Sequence, residues 1–204
     1  MITAKSCADA RINLSRLASL LFVVALCLTD SRWSLNQPII GQLLGFIGWL
    51  LVGVGVMGRI WAGSYICGCK NITLMMQGPY SLCRNPLYLF SFIGGVGALL
   101  VTQTLTFPLA FAAVFLSYYH PVMRNEEQTL RGIHGASFEA YRKAVPLFWP
   151  KRWQLNEPEN YAMSSRQFRR FLVEVVWFIV IAALVQLLHH LHVSGMLPTV
   201  VSLY

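Results

Sequence analysis

Long apolar runs separated by shorter polar stretches dominate the pattern of hydrophobic and polar positions along the chain. Crossing the roughly 30 Å hydrocarbon layer of a membrane takes about 20 mainly apolar residues in a helix. Runs that approach this length predict five membrane helices, which are Leu14–Leu28, Ile39–Met57, Leu87–Val101, Leu105–Tyr119 and Phe171–Leu188. The pattern therefore predicts an all-α integral membrane protein in which residues 1–204 form a single membrane domain.

The third and fourth predicted spans lie close together, with only Thr102, Gln103 and Thr104 between them. Pro108 falls in the first turn of the fourth span, where proline is tolerated because no helical hydrogen bond uses its missing N–H. These spans are therefore predicted to form a tight hairpin of antiparallel helices. The last span, residues 171–188, is predicted as an additional C-terminal transmembrane helix.

Charged residues are distributed unequally between the two sides of these spans. The chain has 16 Lys and Arg against 8 Asp and Glu, and 15 of the 16 basic residues fall on one side, with Arg32 on the other. Because basic residues are retained in the cytoplasm, the N-terminus and both long loops are predicted to be cytoplasmic and residues 191–204 to face outward. The expected location is the inner membrane of a bacterium.

The composition agrees with a membrane protein and argues against nucleic-acid binding. Hydrophobic residues make up 56% of the chain and charged residues only 12%, about half the charged fraction of an ordinary soluble domain. Nucleic-acid binding would need a basic stripe on a soluble module, whereas long apolar runs separate the basic residues here. Membrane lipids are the expected surroundings, and no nucleic-acid partner is expected.

Glycines are frequent in the second predicted span. Residues 53–58 match the GxGxxG pattern of dinucleotide-binding folds, but they close an apolar span instead of following a strand. Small residues in a membrane helix allow a second helix to approach closely. Gly41, Gly45, Gly48 and Gly55 are therefore interpreted as packing residues.

Two groups of possible metal ligands were considered. Cys67 and Cys69 have no second Cys or His pair at the spacing of a zinc site. His189, His190 and His192 have no Cys, Asp or Glu near them in the sequence, and adjacent histidines point to different faces of a helix. No metal-binding residue is assigned.

An informative polar stretch precedes the third predicted span. Gly78-Pro79 predicts a turn, and Asn85-Pro86 predicts an N-cap followed by the first residue of a helix. Arg84 and Tyr88 are four residues apart and share a face, which places a cation and a phenol beside a helix N-terminus that attracts negative groups. A well-capped membrane helix would explain the turn and the cap, but not Tyr80, Arg84 and Tyr88 together.

A second informative stretch begins with Glu126 and Glu127, directly after the fourth predicted span. Because the hairpin returns the chain to its starting face, these carboxylates can meet the region around Arg84. Adjacent residues on a helix diverge by about 100°, so only one of the two can face a shared site. A solvated charge pair at the start of a helix is the alternative interpretation.

Together these residues resemble the motif of the isoprenylcysteine carboxyl methyltransferase family, much of which the phospholipid methyltransferases share. The resemblance covers residues 58–150, which would form a methyltransferase core region. It rests on the order and spacing of the motif residues. The matching residues are Gly78-Pro79-Tyr80, Arg84-Asn85-Pro86-Leu87-Tyr88, Glu126-Glu127, Leu130, Tyr141 and Val145-Pro146. The resemblance implies a membrane enzyme that binds S-adenosylmethionine in a cytoplasmic pocket, releases S-adenosylhomocysteine and takes a lipophilic acceptor from the bilayer.

The resemblance also implies roles for individual residues. Arg84 and Glu127 would support the motif, and with Arg124, a cation able to orient a carboxylate acceptor, they form the candidate catalytic set. The residues implied for cofactor binding are Thr73, Leu74, Met75, Tyr80, Asn85, Pro86, Leu87, Tyr88 and Glu126.

This chain departs from the eukaryotic members of that family at three positions. Val122 stands where they carry an arginine that helps to hold the substrate carboxylate, and Ile72 and Asn85 stand where they have histidine. The acceptor is therefore left open as a carboxylate, hydroxyl or amine. A hydroxyl or amine acceptor would need a base, for which His120, Glu126 and Glu127 are the candidates.

Two other classes of function are retained as alternatives. A small transporter or permease subunit would place ionisable residues inside the spans, where Glu174 is the exception to otherwise uncharged sequence. A catalytically inactive family member could act as a scaffold, against which the presence of Tyr80, Arg84, Tyr88 and Glu126 argues. The oligomeric state is left open.

Overall fold

Helices make up nearly all of the regular structure in the computed structural model, which describes residues 22–68, 73–151 and 155–204. The all-α prediction is confirmed. Most of the first predicted span lies outside the described residues, as do Cys69 and Ile72. The elements in chain order are α1 (residues 22–28), β1 (Thr29–Ser31), α2 (Arg32–Asn36), α3 (Pro38–Ile66), α4 (Pro79–Leu82), α5 (Pro86–Leu100), α6 (Thr106–His134), α7 (Ala136–Ala144), α8 (Ser165–Val193) and β2 (Val201–Leu203).

Helices α3 and α8 are long and apolar enough to cross a membrane. Each has 29 residues, which corresponds to about 43 Å of helix at the usual rise per residue. Large apolar side chains on their surfaces are exposed, for example Ile39, Met57 and Trp177. Helix α5 is also apolar but has only 15 residues.

Helix α3 continues well beyond the predicted end of its span at Met57. Hydropathy falls at Gly58 and Arg59, but the backbone stays helical to Ile66. The added turns are stabilised by packing, since Ala62 and Tyr65 form a buried cluster with Tyr80. Arg59 therefore lies inside the helix and not in a loop after it.

Helix α6 likewise continues past the predicted end of its span at Tyr119. It contains Pro121, which removes one backbone hydrogen bond, and it ends only at His134. Gly135 then adopts a positive φ of 51° and separates α6 from α7. Glu126 and Glu127 consequently lie on the same helix as the apolar residues 106–119.

Helices α3 and α5 approach each other closely along facing glycines. A Cβ atom on Gly48 would lie 2.8 Å from the carbonyl oxygen of Gly97, and one on Gly55 would lie 2.5 Å from Cα of Gly94. The predicted packing role of Gly48 and Gly55 is confirmed. Gly41 and Gly45 face the side chain of Gln103 instead.

The other two long helices pack around this pair. Helix α6 packs on α5 through an aromatic cluster in which Phe92 contacts Phe111, Phe115 and Phe148. Helix α8 packs on both α3 and α5. The start of α5 and α8 and the end of α3 therefore meet at one end of the bundle.

A short parallel ladder closes the opposite end of the bundle, with β1 paired to β2 from Thr29 and Val201 onward. The carbonyl oxygen of Tyr204 accepts hydrogen bonds from the amides of Leu105 and Thr106 at the start of α6, at 2.9 and 3.0 Å. We call this region, residues 27–31, 102–106, 189–192 and 201–204, the strand end. It holds the last turn of α8 in place.

The three histidines predicted not to form a metal site lie near the strand end. Both ring nitrogens of His192 contact carbonyl oxygens, of Leu188 at 2.9 Å and of Cys27 at 3.0 Å. His189 lies 3.6 Å from the buried carboxylate of Asp30. Within the described ranges, no three His, Cys, Asp or Glu residues are grouped so as to hold a metal ion.

Candidate active site

A cavity of about 760 Å³ lies at the end of the bundle opposite the strand end. Its volume falls in the range of roughly 300–1,000 Å³ that is usual for small-molecule and cofactor sites. It is lined by the end of α3, the segment at residues 73–75, α4, the start of α5, the middle of α6, Tyr141 of α7 and the start of α8. The predicted cofactor-binding residues all line it, namely Thr73, Leu74, Met75, Tyr80, Asn85, Pro86, Leu87, Tyr88 and Glu126.

Glu126 is joined to α5 by a hydrogen bond across the cavity wall. The hydroxyl group of Tyr88 donates to Oε1 of Glu126 at 2.9 Å. Glu127 points away to Arg84 and is not among the residues that line the cavity. The expectation from helical geometry, that only one of the two carboxylates faces a shared site, is met by Glu126.

Arg84 holds three parts of the chain together at the edge of the cavity. Its Nε donates to Oε1 of Glu127 at 2.6 Å, and its Nη1 donates to the carbonyl oxygens of Arg142 at 2.8 Å and Val145 at 2.6 Å. The Arg84 and Glu127 side chains are only 10% and 15% exposed. Arg84 therefore fixes the end of α7 against α5 and α6.

Asn85 behaves differently from the predicted N-cap. Its backbone is at the N-cap position of α5, but its side chain makes no capping hydrogen bond. Instead, Nδ2 donates to the carbonyl oxygen of Leu147 at 3.1 Å. The Asn85 side chain therefore binds the segment after α7 and does not cap α5. The helix can start without a side-chain cap because the fixed φ of Pro86 favours its first turn.

Tyr80 brings an unpaired donor to the cavity. The residue is 6% exposed, and its buried hydroxyl group has no hydrogen-bond partner within the described part of the chain. Burial raises the pKa of Tyr80, so the phenol keeps its proton. Its carbonyl oxygen accepts a hydrogen bond from the Tyr141 hydroxyl at 2.7 Å. A buried donor left free in this way is costly, and it is often found where a ligand or water binds.

Two residues predicted to take part in the chemistry lie apart from the cavity. Arg124 and His120 are both exposed on α6 and do not line it. They are on the same helix as Glu126, at positions that face in other directions. The structure thus brings Arg84 to the cavity wall, but not Arg124.

Sequence reasoning missed one wall of the cavity. The additional lining residues on α3, α5 and α8 are Arg59, Ser91, Gln167, Arg170, Phe171 and Glu174. Both predicted spans that contribute to this wall from α3 and α8 were too short, since α3 continues to Ile66 and α8 begins at Ser165 and not at Phe171. The sequence signal that could have revealed this wall is Arg59, which follows the second predicted span and is itself followed by residues that can continue a helix.

Comparison with known proteins gives a class for this fold and site. The sequence model of the family described as phospholipid methyltransferase matches residues 45–137. A protein-S-isoprenylcysteine O-methyltransferase of Schizosaccharomyces pombe is 31% identical over 77 residues, which cover 38% of this chain and 33% of that enzyme. No solved structure matches the chain. The class is that of the membrane methyltransferases.

Two further relatives cover nearly the whole chain. The cobalt-zinc-cadmium resistance protein CzcN of Cupriavidus metallidurans is 31% identical over 193 residues, which are 95% of this chain and 88% of that protein. The nickel-cobalt-cadmium resistance protein NccN of Alcaligenes xylosoxydans xylosoxydans is also 31% identical, over 95% of this chain and 89% of its own length. The chain belongs to the same family as these two proteins, and its central part, residues 45–137, matches the phospholipid methyltransferase family.

Proposed function

We propose that this protein transfers a methyl group from S-adenosylmethionine to a lipophilic or lipid-linked acceptor at the cytoplasmic face of the membrane. The observation that carries the proposal is the cavity, which is lined by every residue that the family resemblance implies for cofactor binding. Those residues come from the segment at 73–75, from α4 and α5, and from α6.

The chemistry of the cavity fits this cofactor. S-adenosylmethionine carries a sulfonium, an α-ammonium and an α-carboxylate group, together with hydrogen-bonding groups, on a partly apolar framework. The Glu126 carboxylate offers a negative acceptor, the Tyr80 hydroxyl offers a free buried donor, and Leu74, Met75 and Leu87 offer apolar surface. These residues, with Tyr88, would hold the cofactor.

The contribution of the protein is mainly to align the reactants and exclude water. When bound, S-adenosylmethionine supplies an activated methyl group, so few catalytic side chains are required. Tyr88 fixes the position of the Glu126 carboxylate, and Arg84 holds the end of α7 beside the cavity. Of the three candidate bases for a hydroxyl or amine acceptor, Glu126 lines the cavity, whereas His120 and Glu127 do not.

We also propose that the chain crosses the membrane five times, with α5 and α6 as a hairpin. In this arrangement the residues before Leu14, between α3 and α5, and between α6 and α8 are cytoplasmic. The distribution of basic residues supports this orientation. Exposed apolar side chains on the first half of α6, such as Leu109 and Val114, support its contact with lipid. The cavity then opens at the cytoplasmic face.

Calorimetry with S-adenosylhomocysteine tests the proposal. Purified protein is expected to bind it saturably, and Glu126→Gln and Tyr88→Phe should each weaken binding by about 10-fold because a hydrogen bond to a charged group is lost. Glu159→Gln is the matched control, since this carboxylate is exposed and outside the cavity. Absence of binding by the wild-type protein at millimolar ligand would overturn the proposal.

The names of the two long relatives favour a second candidate function, at the level of physiology. We propose that methyl transfer by this protein contributes to resistance to divalent transition metals. Complementation of a deletion strain on cadmium-containing medium tests this. Wild-type protein should restore growth and Glu126→Gln should not. Restoration by Glu126→Gln would favour the scaffold alternative instead.

A further inference from the structure

Arg59 is the one charged residue in the 29-residue helix α3. It lies seven residues, or about two turns, before the end of the helix, and it lines the cavity. A charge that is buried inside a protein is costly unless a partner or ligand compensates it. The residue lies between Gly58, which packs on Phe90, and the buried cluster around Ala62.

The guanidinium group of Arg59 is held in place by neighbours that leave its charge unpaired. Its Nη1 donates to Oγ of Ser91 on α5, and its Cζ lies 5.4 and 5.1 Å from the ring centroids of Phe171 and Phe178 on α8. Aromatic faces stabilise a cation without neutralising it. Its Nε is buried and has no hydrogen-bond partner among the described residues.

No carboxylate forms an ion pair with Arg59 within the ranges that the structure describes. Glu174 lines the same cavity and interacts electrostatically with Arg59, but the two side chains do not form an ion pair. If Arg59 only filled space between two phenylalanines, an uncharged side chain would serve without the cost of burying a charge. The free Nε and the unpaired charge point to an anionic ligand.

The cavity has two chemically different walls. Glu126 and Tyr88, on α6 and α5, form the acidic wall that the proposed function assigns to the cofactor. Arg59 and Arg170 lie on the wall formed by α3 and α8, together with Phe171 and one carboxylate, Glu174.

We propose that Arg59 binds an anionic group of the methyl acceptor, and that α8 forms part of the acceptor site by holding Arg59 through Phe171 and Phe178. The acceptor is then an amphiphile with a carboxylate or phosphate group beside its apolar part. A guanidinium suits both because its planar donors pair with two oxygens at once. This inference rests on the proposed function.

Binding of single-chain amphiphiles to the full-length protein in phosphatidylcholine nanodiscs tests the proposal. Radiolabelled laurate and dodecyl phosphate are compared, with empty nanodiscs as the blank and unlabelled dodecanol as an uncharged competitor. At least one anion should bind saturably, and dodecanol should compete poorly. The stronger of the two anions identifies the head group. Equal competition by dodecanol, or no saturable binding of either anion, would overturn the proposal.

A variant locates the binding at Arg59. Arg59→Gln should weaken binding of the anion by about 10-fold, since a hydrogen bond to a charged group is lost, and should leave S-adenosylhomocysteine affinity unchanged. Arg169→Gln is the control, because Arg169 is exposed on α8 and does not line the cavity. Anion binding that survives Arg59→Gln would overturn the proposal.

The cofactor measurement separates the two proposals. An equal loss of S-adenosylhomocysteine binding in Arg59→Gln would make Arg59 a cofactor residue and would overturn the acceptor assignment. If wild-type protein binds S-adenosylhomocysteine but neither anion, the proposed function is retained and the acceptor assignment is overturned. Should Arg59→Gln fail to fold, the comparison of the anions with dodecanol on wild-type protein still tests the proposal, because equal competition by dodecanol overturns it.

Discussion

Arg84 and Glu127 form an ion pair that supports the site, although only Arg84 lines the cavity. The hydrogen bonds of Arg84 join the loop before α5 to α6 and to the end of α7. If the guanidinium is removed, the Glu127 carboxylate and two carbonyl oxygens lose a donor in a region with little access to water. The role of this pair is therefore to keep the cavity wall in one arrangement.

Replacing Arg84 should consequently destabilise the whole protein. Arg84→Gln is expected to lower the free energy of unfolding by about 3 kcal/mol, because it leaves a mostly buried carboxylate unpaired. Arg131→Gln is a matched control. Its Nε contacts Glu139 at 2.8 Å, but its side chain is 64% exposed, and such pairs contribute below about 1 kcal/mol. Denaturant titration in detergent measures both, and equal losses would contradict the assignment.

Replacing Tyr80 should stabilise the ligand-free protein but weaken cofactor binding, whereas replacing Arg84 should lower stability. Tyr80→Phe removes a buried hydroxyl that has no partner in the described part of the chain. We expect the ligand-free protein to gain about 1 kcal/mol or more of stability, the cost of an unsatisfied buried group, while S-adenosylhomocysteine binds more weakly.

Tyr141→Phe provides the comparison for that experiment, since its hydroxyl group donates to the carbonyl oxygen of Tyr80. Its loss should lower the melting temperature. A Tyr80→Phe protein that is less stable than wild type and binds the ligand equally well would show that this hydroxyl group has a structural role.

At the scale of single residues, spacing predicted much of the site. The hairpin predicts that Glu126 and Glu127 can meet the region around Arg84, and Glu127 lies 2.6 Å from Arg84 while Glu126 lies 2.9 Å from Tyr88. The partners of Arg84 could not be predicted in the same way, because two of them are backbone carbonyl oxygens. Any residue provides a carbonyl group, so the sequence carries no signal for such contacts.

At the scale of helices, hydropathy predicted where the apolar segments lie but not where the helices end. Helix α5, Pro86–Leu100, is close to the predicted Leu87–Val101. Helix α3 runs nine residues past Met57, because backbone hydrogen bonding continues where the apolar character stops. Arg59 was therefore missed as part of the cavity, since it was assigned to a loop.

The close contact between α3 and α5 gives a prediction at this scale. Gly55→Ala would place a methyl group 2.5 Å from Cα of Gly94, where backbone atoms cannot move aside, and overpacking of this kind costs about 1–3 kcal/mol. Gly53→Ala on the same helix meets nothing within 4 Å and should be neutral or stabilising. Melting temperatures compare the two variants, and the same value for both would contradict the packing role.

At the scale of the whole molecule, the two ends of the bundle are chemically distinct. The cavity lies at one end and the strand end at the other, and the long helices connect them. The basic residues predict which end faces the cytoplasm, but the strand end could not be predicted. Its three-residue strands are too short for a periodic pattern, and they pair residues from distant parts of the sequence.

The orientation can be tested with single cysteine substitutions. Met196 is 75% exposed beside the strand end, and Glu159 is exposed in the segment before α8. In intact cells, Met196→Cys should react with a membrane-impermeant maleimide and Glu159→Cys only after permeabilisation. Wild-type protein is the blank for the native cysteines. Labelling in the reverse order would contradict the predicted topology.

The strand end has a consequence for the order in which the protein assembles during synthesis. Pairing of β1 with β2 requires residues 201–203, which the ribosome makes well after Glu174, the last residue that lines the cavity. The residues that line the cavity are therefore all made before those of β2. The strand β2 acts as a latch on the helix ends that are remote from the cavity. We expect loss of the latch to loosen the distant helix ends first and to leave the cavity walls largely in place.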